Sequence, residues 1–341
     1  MTAKDIPKFL KPWLENFLRE NLFIRGAYLA GSVAELHPDD GIGSCSDIDI
    51  MMPIDGPARD KPGKIPYNGF IIEGTFIPWD ELRDPERSMA NYHVAHGLHH
   101  SLVLADRTGE LTALCEYAAA EFPKPEQIRA RVDNVIAKIE SNLNGFRTDV
   151  PIERQCMGLL FTAGILTHAV LVAAMCNPTV RMRYRAVRDV LIPAGRSAEY
   201  EDLMRIAGFA DFTAEETETY LANMASLFDA VEPLRRTHFP FTSDLCAEMR
   251  PTAVDDLRTM IGSGSHRETL FWLCATYTRL MQQAASDAPE LYNEAMPAFL
   301  RLAERIGLGT PEARLARVEA IRAALPGLRT LCEQIIAENT H

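Results

Sequence analysis

Paired cysteines are missing from this chain. The seven cysteines, at positions 45, 115, 156, 176, 246, 274 and 332, are scattered, odd in number and never in a CxxC spacing, so no disulfide framework is expected. They read as reduced thiols of a cytoplasmic protein. The start, Met1-Thr-Ala-Lys-Asp-Ile-Pro7, has no apolar stretch with a small-residue cleavage site, and export is not expected. A basic excess is missing too. With 35 Lys and Arg against 47 Asp and Glu, the net charge of −12 opposes a stable nucleic-acid partner and suits a small-molecule one. There is no low-complexity tract and no repeat of fixed period. Long apolar runs are rare, the exception being Gly158 to Cys176, nineteen residues without a formal charge. That is near the length of a bilayer span. Thr162, Thr167 and His168 interrupt it and no second such run exists, so the expectation is the central helix of a bundle and no membrane partner.

The chain is long enough, at 341 residues, for two cores, and 47% apolar with 24% charged residues is ordinary for a folded protein. Its most informative stretch is Ser46-Asp47-Ile48-Asp49-Ile50, preceded by Gly31-Ser32. In a strand, side chains two apart share a face, so Asp47 and Asp49 would aim at one spot. Two anions that close are costly unless a cation sits between them. Oxygen ligands of this kind suit magnesium better than zinc. Ala27-Tyr-Leu-Ala30 reads as a short buried strand and Val33 as a helix start, leaving backbone N–H groups at the Gly31-Ser32 bend to hold phosphate oxygens. Glycine permits close approach, and the Ser32 hydroxyl can donate as well.

Hydrophobic-Gly-Ser, a spacer, and Asp-hydrophobic-Asp-hydrophobic together resemble the signature of the DNA polymerase beta nucleotidyltransferase superfamily. The resemblance covers about the first third of the chain. It implies transfer of a nucleoside monophosphate from an NTP, most simply ATP, with two Mg2+ ions held by Asp47, Asp49 and a third carboxylate on a neighbouring strand. Glu73, in Gly69-Phe-Ile-Ile-Glu73-Gly-Thr-Phe-Ile77, is the expected third ligand, because residues 71, 73, 75 and 77 alternate onto one face. Catalysis and metal binding are thus assigned to Asp47, Asp49 and Glu73, and nucleotide binding to Gly31, Ser32, Ser46, Arg181 and Arg185. Two departures from the pattern stand out. Fourteen residues separate Ser32 from Asp47, making a lengthened loop of His37 to Ser44, and Glu35 stands where many small-molecule members are basic.

The expected fold is α+β: a small mixed sheet with flanking helices over residues 1–122, then an all-α bundle over 123–341. Phe122-Pro-Lys-Pro125 marks the boundary, since two prolines break a helix on either side. A helix over 5–22 precedes strands at about 26–30, 46–52 and 68–77, with residues 53–66 a loop. A helix runs from about 79 to 100, a strand over 101–105 and a helix over 110–121. Beyond 126, helical periodicity covers 126–146, 153–176, 180–192, 199–207, 214–232, 252–261, 266–285, 290–306 and 311–338. This arrangement resembles two-domain antibiotic nucleotidyltransferases of the kanamycin and lincosamide type.

Other residues have two readings. His93, His96 and His100 share a face if the 79–100 helix is continuous, and with His99 could bind a transition metal. A helix end on the sheet or in solvent is the plainer reading. Arg181, Arg185 and Arg188 share a helix face and would either reach a triphosphate or form a solvated basic surface. Glu153 is a candidate for the base that deprotonates the acceptor, a role the resemblance to kanamycin nucleotidyltransferase-like enzymes gives to a cleft-facing carboxylate, or else only meets the dipole of its helix N-terminus. Glu73 is the competing base. The expected acceptor is a small-molecule hydroxyl. The alternative is a nucleotide-binding regulatory or antitoxin-like protein that senses nucleotide or modifies a partner protein.

Overall fold

The computed structural model describes residues 1–43 and 47–339. The protein is α+β, with two compact units, Met1–Asn134 with Met175–Asn177, and Val135–Ala174 with Pro178 onward. Unit 1 holds a five-stranded mixed sheet of strands β1 (Gly26–Ala30), β2 (Asp47–Ile54), β3 (Gly63–Tyr67), β4 (Phe70–Pro78) and β5 (Leu102–Asp106) in the order β3-β4-β2-β1-β5. Only β2 and β4 run parallel. The period of two sorts each strand between two cores. Ala27, Leu29, Ile48, Ile50, Met52 and Ile72 pack against Ile6, Leu10 and Leu14 of α1 (Ile6–Glu20). Tyr28, Ala30 and Ile77 face the opposite core, with Leu98 and Leu111.

Two sequence expectations for this unit fail. Residues 53–66 are not one loop, because β2 continues to Ile54 and Gly63–Tyr67 forms the edge strand β3. A tight turn joins β3 to β4, with Asn68 at φ 46° and Gly69 at φ 84°, and Tyr67 pairs with Phe70. Two successive left-handed residues match the right-handed twist of a hairpin, and Asn-Gly adopts them at least cost. Nor is 79–100 one helix. With the four-residue turn Gly31–Ala34 taken as α2, residues 79–100 break into three helices, α3 (Trp79–Leu82), α4 (Pro85–Ala90) and α5 (Ala95–His99). The Asp84 carboxylate accepts from the N–H groups of Glu86 and Arg87 and starts α4 at Pro85, a residue suited to the first turn of a helix.

Next come α6 (Glu110–Glu121) and α7 (Pro125–Asn144), within which the division between the units falls. Arg131 of α7 is almost fully buried and donates to the carbonyls of Phe122 (2.7 Å) and Met89 (3.3 Å), with its guanidinium 4.0 Å from the Phe122 ring centroid. The carbonyls it meets lie at the ends of α6 and α4, where helices leave acceptors unused. Burial pulls its pKa down to about 10.

Unit 2 is helical: α8 (Ile152–Ala173), α9 (Arg183–Leu191), α10 (Ser197–Ala207), α11 (Ala214–Val231), α12 (Asp256–Gly262), α13 (His266–Asp287), α14 (Pro289–Arg305) and α15 (Pro311–Asn339). The expected 252–261 helix is a π turn, Pro251–Asp255, leading into α12. Helix α8 packs on α9, α10, α13 and α15 and is buried around most of its circumference, so the long apolar run is the core of this unit. Glycine at 164 leaves room for the buried Arg183 guanidinium, which sits 3.9 Å from the Phe271 ring centroid while its Nε donates to the Val180 carbonyl at 2.8 Å.

In unit 1, His96 of α5 is 5% exposed, its ring 4.4 Å from that of His100 and 5.9 Å from that of Phe122. Burial, then His100, His99 and Arg131, lower its pKa to about 3, against 6.5 in the unfolded chain. A base depressed in this way leaves the unfolded state holding more protons below pH 6.5, so its contribution is complete above that value and is lost as the pH falls toward 3. Urea unfolding of the wild type should therefore lose up to about 1.4 kcal/mol per pH unit through this residue below pH 6.5. His96→Gln should flatten that limb, and an unchanged slope would refute the assignment.

Candidate functional site

A single row of residues crosses four strands of the sheet. Lys64 of β3 pairs with Glu73 of β4, Glu73 with Asp49 of β2, and Asp49 with Ala30, the last residue of β1. Residues paired side by side point to the same face of a sheet. Asp47, two residues before Asp49, joins that face. The structure thus brings the three acids named from sequence together, and adds a lysine that was not named.

Lys64 is the cation among them. Its Nζ donates to Asp47 Oδ2 and, at 2.8 Å, to Glu73 Oε2, and its side chain is only 5% exposed. Lys61 Nζ donates to the other Glu73 oxygen at 2.8 Å from a more open position. Burial alone would raise the pKa of Glu73, but Lys64 and Lys61 outweigh it and hold the carboxyl down at about 2. Burial would likewise lower the Lys64 pKa, and Glu73 and Asp47 reverse that to raise it above the ordinary value. Asp49 receives less help. Burial, then Glu73 and Asp47, push it up to about 7. The lysines were missed because residues 53–66 were read as loop. The Asn68-Gly69 turn was the available signal, since a hairpin there makes 63–67 a strand and aligns Lys64 with Glu73.

At the other end of the row, β1 ends in the bend. Gly31 has φ +69°, and a Cβ there would overlap the Asp49 carboxylate. Only glycine supplies both the left-handed backbone and the missing atom. Gly31 opens α2, and Ser32 beside it is exposed. Glu35, just past α2, accepts from Asn177 Nδ2 at 2.6 Å and lies 3.9 Å from His96 Nδ1. Burial raises its pKa. The lengthened loop is tied to the start of the chain, where the N–H groups of Ala3 and Lys4 donate to the carbonyls of Asp40 and Pro38, and Lys4 pairs with Asp39.

Ser46 is outside the described residues. Arg181 and Arg185 belong to unit 2, where Arg181 pairs with Asp256 at 2.8 Å and the more exposed Arg185 has Asp189 at 3.9 Å. Arg188 donates to the buried Glu268 at 3.0 Å, and the Tyr200 hydroxyl donates to the same oxygen at 2.6 Å. Glu153 is 2% exposed within unit 2 and accepts from the Tyr292 hydroxyl at 3.3 Å. His93 lies in a turn before α5, so the shared histidine face of the sequence reading does not form. His99 instead stacks on Phe122, centroids 4.3 Å apart.

Among the described residues, no three His, Cys, Asp or Glu side chains form a group that could hold a metal ion as they stand. At the acids, Lys64 takes up the oxygens an ion would need. The donor chemistry nevertheless fits a hard divalent cation, with three carboxylates gathered about a positive charge. No protein-family model matches the chain, and no curated protein matches it.

Gly31→Ala should cost about 1–2 kcal/mol for the left-handed backbone, and more for the overlap with Asp49. In an Asp49→Ala background the same substitution should cost only the backbone part. Urea denaturation of the two single variants and the double variant checks this, and strictly additive costs would show that Gly31 and Asp49 do not touch.

Proposed function

We propose that this protein is a magnesium-dependent nucleotidyltransferase that moves a nucleoside monophosphate from an NTP to a hydroxyl of a small molecule and releases pyrophosphate. The observation that carries the reading is the closeness of the Gly31 bend to the Asp49 carboxylate, because it puts a glycine turn of backbone beside a cluster of acids. The resemblance of the Gly-Ser and Asp-x-Asp motifs to the polymerase beta superfamily supports the same activity.

Asp47, Asp49 and Glu73 are the residues that would hold Mg2+, two ions in the expected arrangement, and magnesium supplies there the neutralisation of phosphoryl charge that in-line transfer needs. The backbone N–H groups after Gly31 and the Ser32 hydroxyl bind phosphate oxygens, which fixes the triphosphate against the end of β1. The acceptor hydroxyl attacks the α-phosphorus and gives its proton to a carboxylate of the site, the bond to the bridging oxygen breaks, and pyrophosphate departs with the electron pair. Lys64 and Lys61 lie on the same face and offset the charge of the acids. The net charge of −12 favours a cationic or neutral acceptor, such as an aminoglycoside-like compound, over a polyanion. The compartment in this reading is the cytoplasm, with the cysteines as thiols.

The second reading, a nucleotide-binding regulatory or antitoxin-like protein, draws on the same lysine: acids already neutralised by Lys64 need no metal in order to stay folded. Mass spectrometry of Mg2+, each NTP and a panel of hydroxyl acceptors separates the two, a nucleoside monophosphate adduct favouring transfer and adduct on a partner protein favouring the alternative. Asp47→Asn and Asp49→Asn should each lower transfer more than about a hundredfold, the order lost when one electrostatic partner of a transition state is removed. Asp49→Asn should also melt no lower than wild type at pH 8, since an amide relieves repulsion from Asp47 and Glu73. Full activity in either variant contradicts the assignment.

A further inference from the structure

We propose that Lys64 is a built-in competitor for the metal position, that a divalent cation enters the site by displacing this ammonium, and that a triphosphate eases the exchange by receiving it. The inference rests on the nucleotidyltransferase reading and concerns how that site is loaded.

Three observations lead to it. The Lys64 ammonium is bonded to Asp47 Oδ2 and Glu73 Oε2, oxygens from two of the three carboxylates that would hold an ion. Its side chain is 5% exposed, so it is committed to those acids and not to solvent. It stands on β3, the edge strand of the sheet, which among the described residues is paired along one side only and is joined to β4 by the two-residue turn at Asn68-Gly69. Edge strands are held by fewer partners than inner ones, so a side chain there can change position at less cost.

Charge determines the order of events. Three carboxylates and two ammoniums leave the cluster with at most one negative charge, which is close to balanced. A divalent ion added beside both lysines would place three cations among three acids, with the Lys64 ammonium and the ion claiming the same oxygens. One of the two has to go. An ammonium taken from its acids and left buried without an anion costs several kcal/mol, so a metal alone binds against that penalty. A triphosphate lying along the Gly31-Ser32 bend removes the penalty, because Lys64 shares the face on which the phosphates would lie and can exchange carboxylate for phosphate oxygen. Metal and nucleotide then favour one another's binding, and the coupling is reciprocal. Lys61, which pairs with the outer Glu73 oxygen and is more exposed, has no such role.

Two measurements on the full-length protein test this. The first is Mn2+ binding followed by electron paramagnetic resonance without nucleotide, in the wild type, Lys64→Met, Lys64→Arg and Lys61→Met. Lys64→Met should bind Mn2+ at least about tenfold more tightly than wild type, a shift of about 1.4 kcal/mol. Lys64→Arg and Lys61→Met should stay near wild type. The second needs no variant: acetylation of Lys64 by an amine-selective reagent, read by peptide mass spectrometry. Lys64 should be protected in the metal-free protein, become reactive at saturating Mn2+, and be protected again when α,β-methylene-ATP is added. Wild-type affinity in Lys64→Met, or Lys64 protection that Mn2+ leaves unchanged, overturns the exchange while leaving the proposed activity standing. No Mn2+ binding by any of the four proteins overturns both.

Discussion

Three carboxylates on adjacent strands repel one another, and the end of this sheet is arranged around that repulsion. Parallel pairing of β2 with β4 sets Asp49 beside Glu73, and the two-residue period adds Asp47 to the same face. Nothing in that pairing is neutral, so the neighbouring strand supplies Lys64 directly across from Glu73, and Lys61 covers the outer oxygen. The compensation is uneven. Glu73 sits with two ammoniums and stays ionised far below the ordinary carboxylate range, whereas burial and its acidic neighbours lift Asp49 to about 7. One carboxylate is left poorly matched, and perturbed groups of this kind are common at, though not confined to, sites that handle charged ligands.

The Gly31 bend belongs to the same constraint. The backbone that leaves β1 turns in the left-handed region at Gly31, and a Cβ there would collide with the Asp49 carboxylate. The strand end, the bend and the acid are therefore one local unit. Its position follows from the β1–β2 register, in which Ala30 lies opposite Asp49.

Much of this was legible in the sequence, for identifiable reasons. Asp47 and Asp49 declared a shared face through spacing alone, and Glu73 declared itself as an acid in an otherwise apolar alternation. The helices beyond residue 125 followed from periodicity bounded by prolines and glycines, and α8 from a run too apolar for a surface helix. The failures came where short elements compete. Residues 63–67, with Pro62, Gly63 and Pro66, look like a loop until the turn at Asn68-Gly69 pairs them with β4, and so Lys64 went unseen. Residues 79–100 have enough helical character to suggest one helix, yet the Asp84 cap and Pro85 restart the chain. The ion pairs of Arg181 with Asp256 and of Arg188 with Glu268 join residues about eighty positions apart or slightly fewer, which no local pattern encodes.

A crystal structure with Mn2+ and α,β-methylene-ATP, its manganese located by anomalous scattering, tests the central claim most directly. Manganese bonded to Asp47, Asp49 and Glu73, with the triphosphate on the N–H groups that follow Gly31, is the predicted result. Manganese on other ligands, or a nucleotide bound away from the bend, would contradict it.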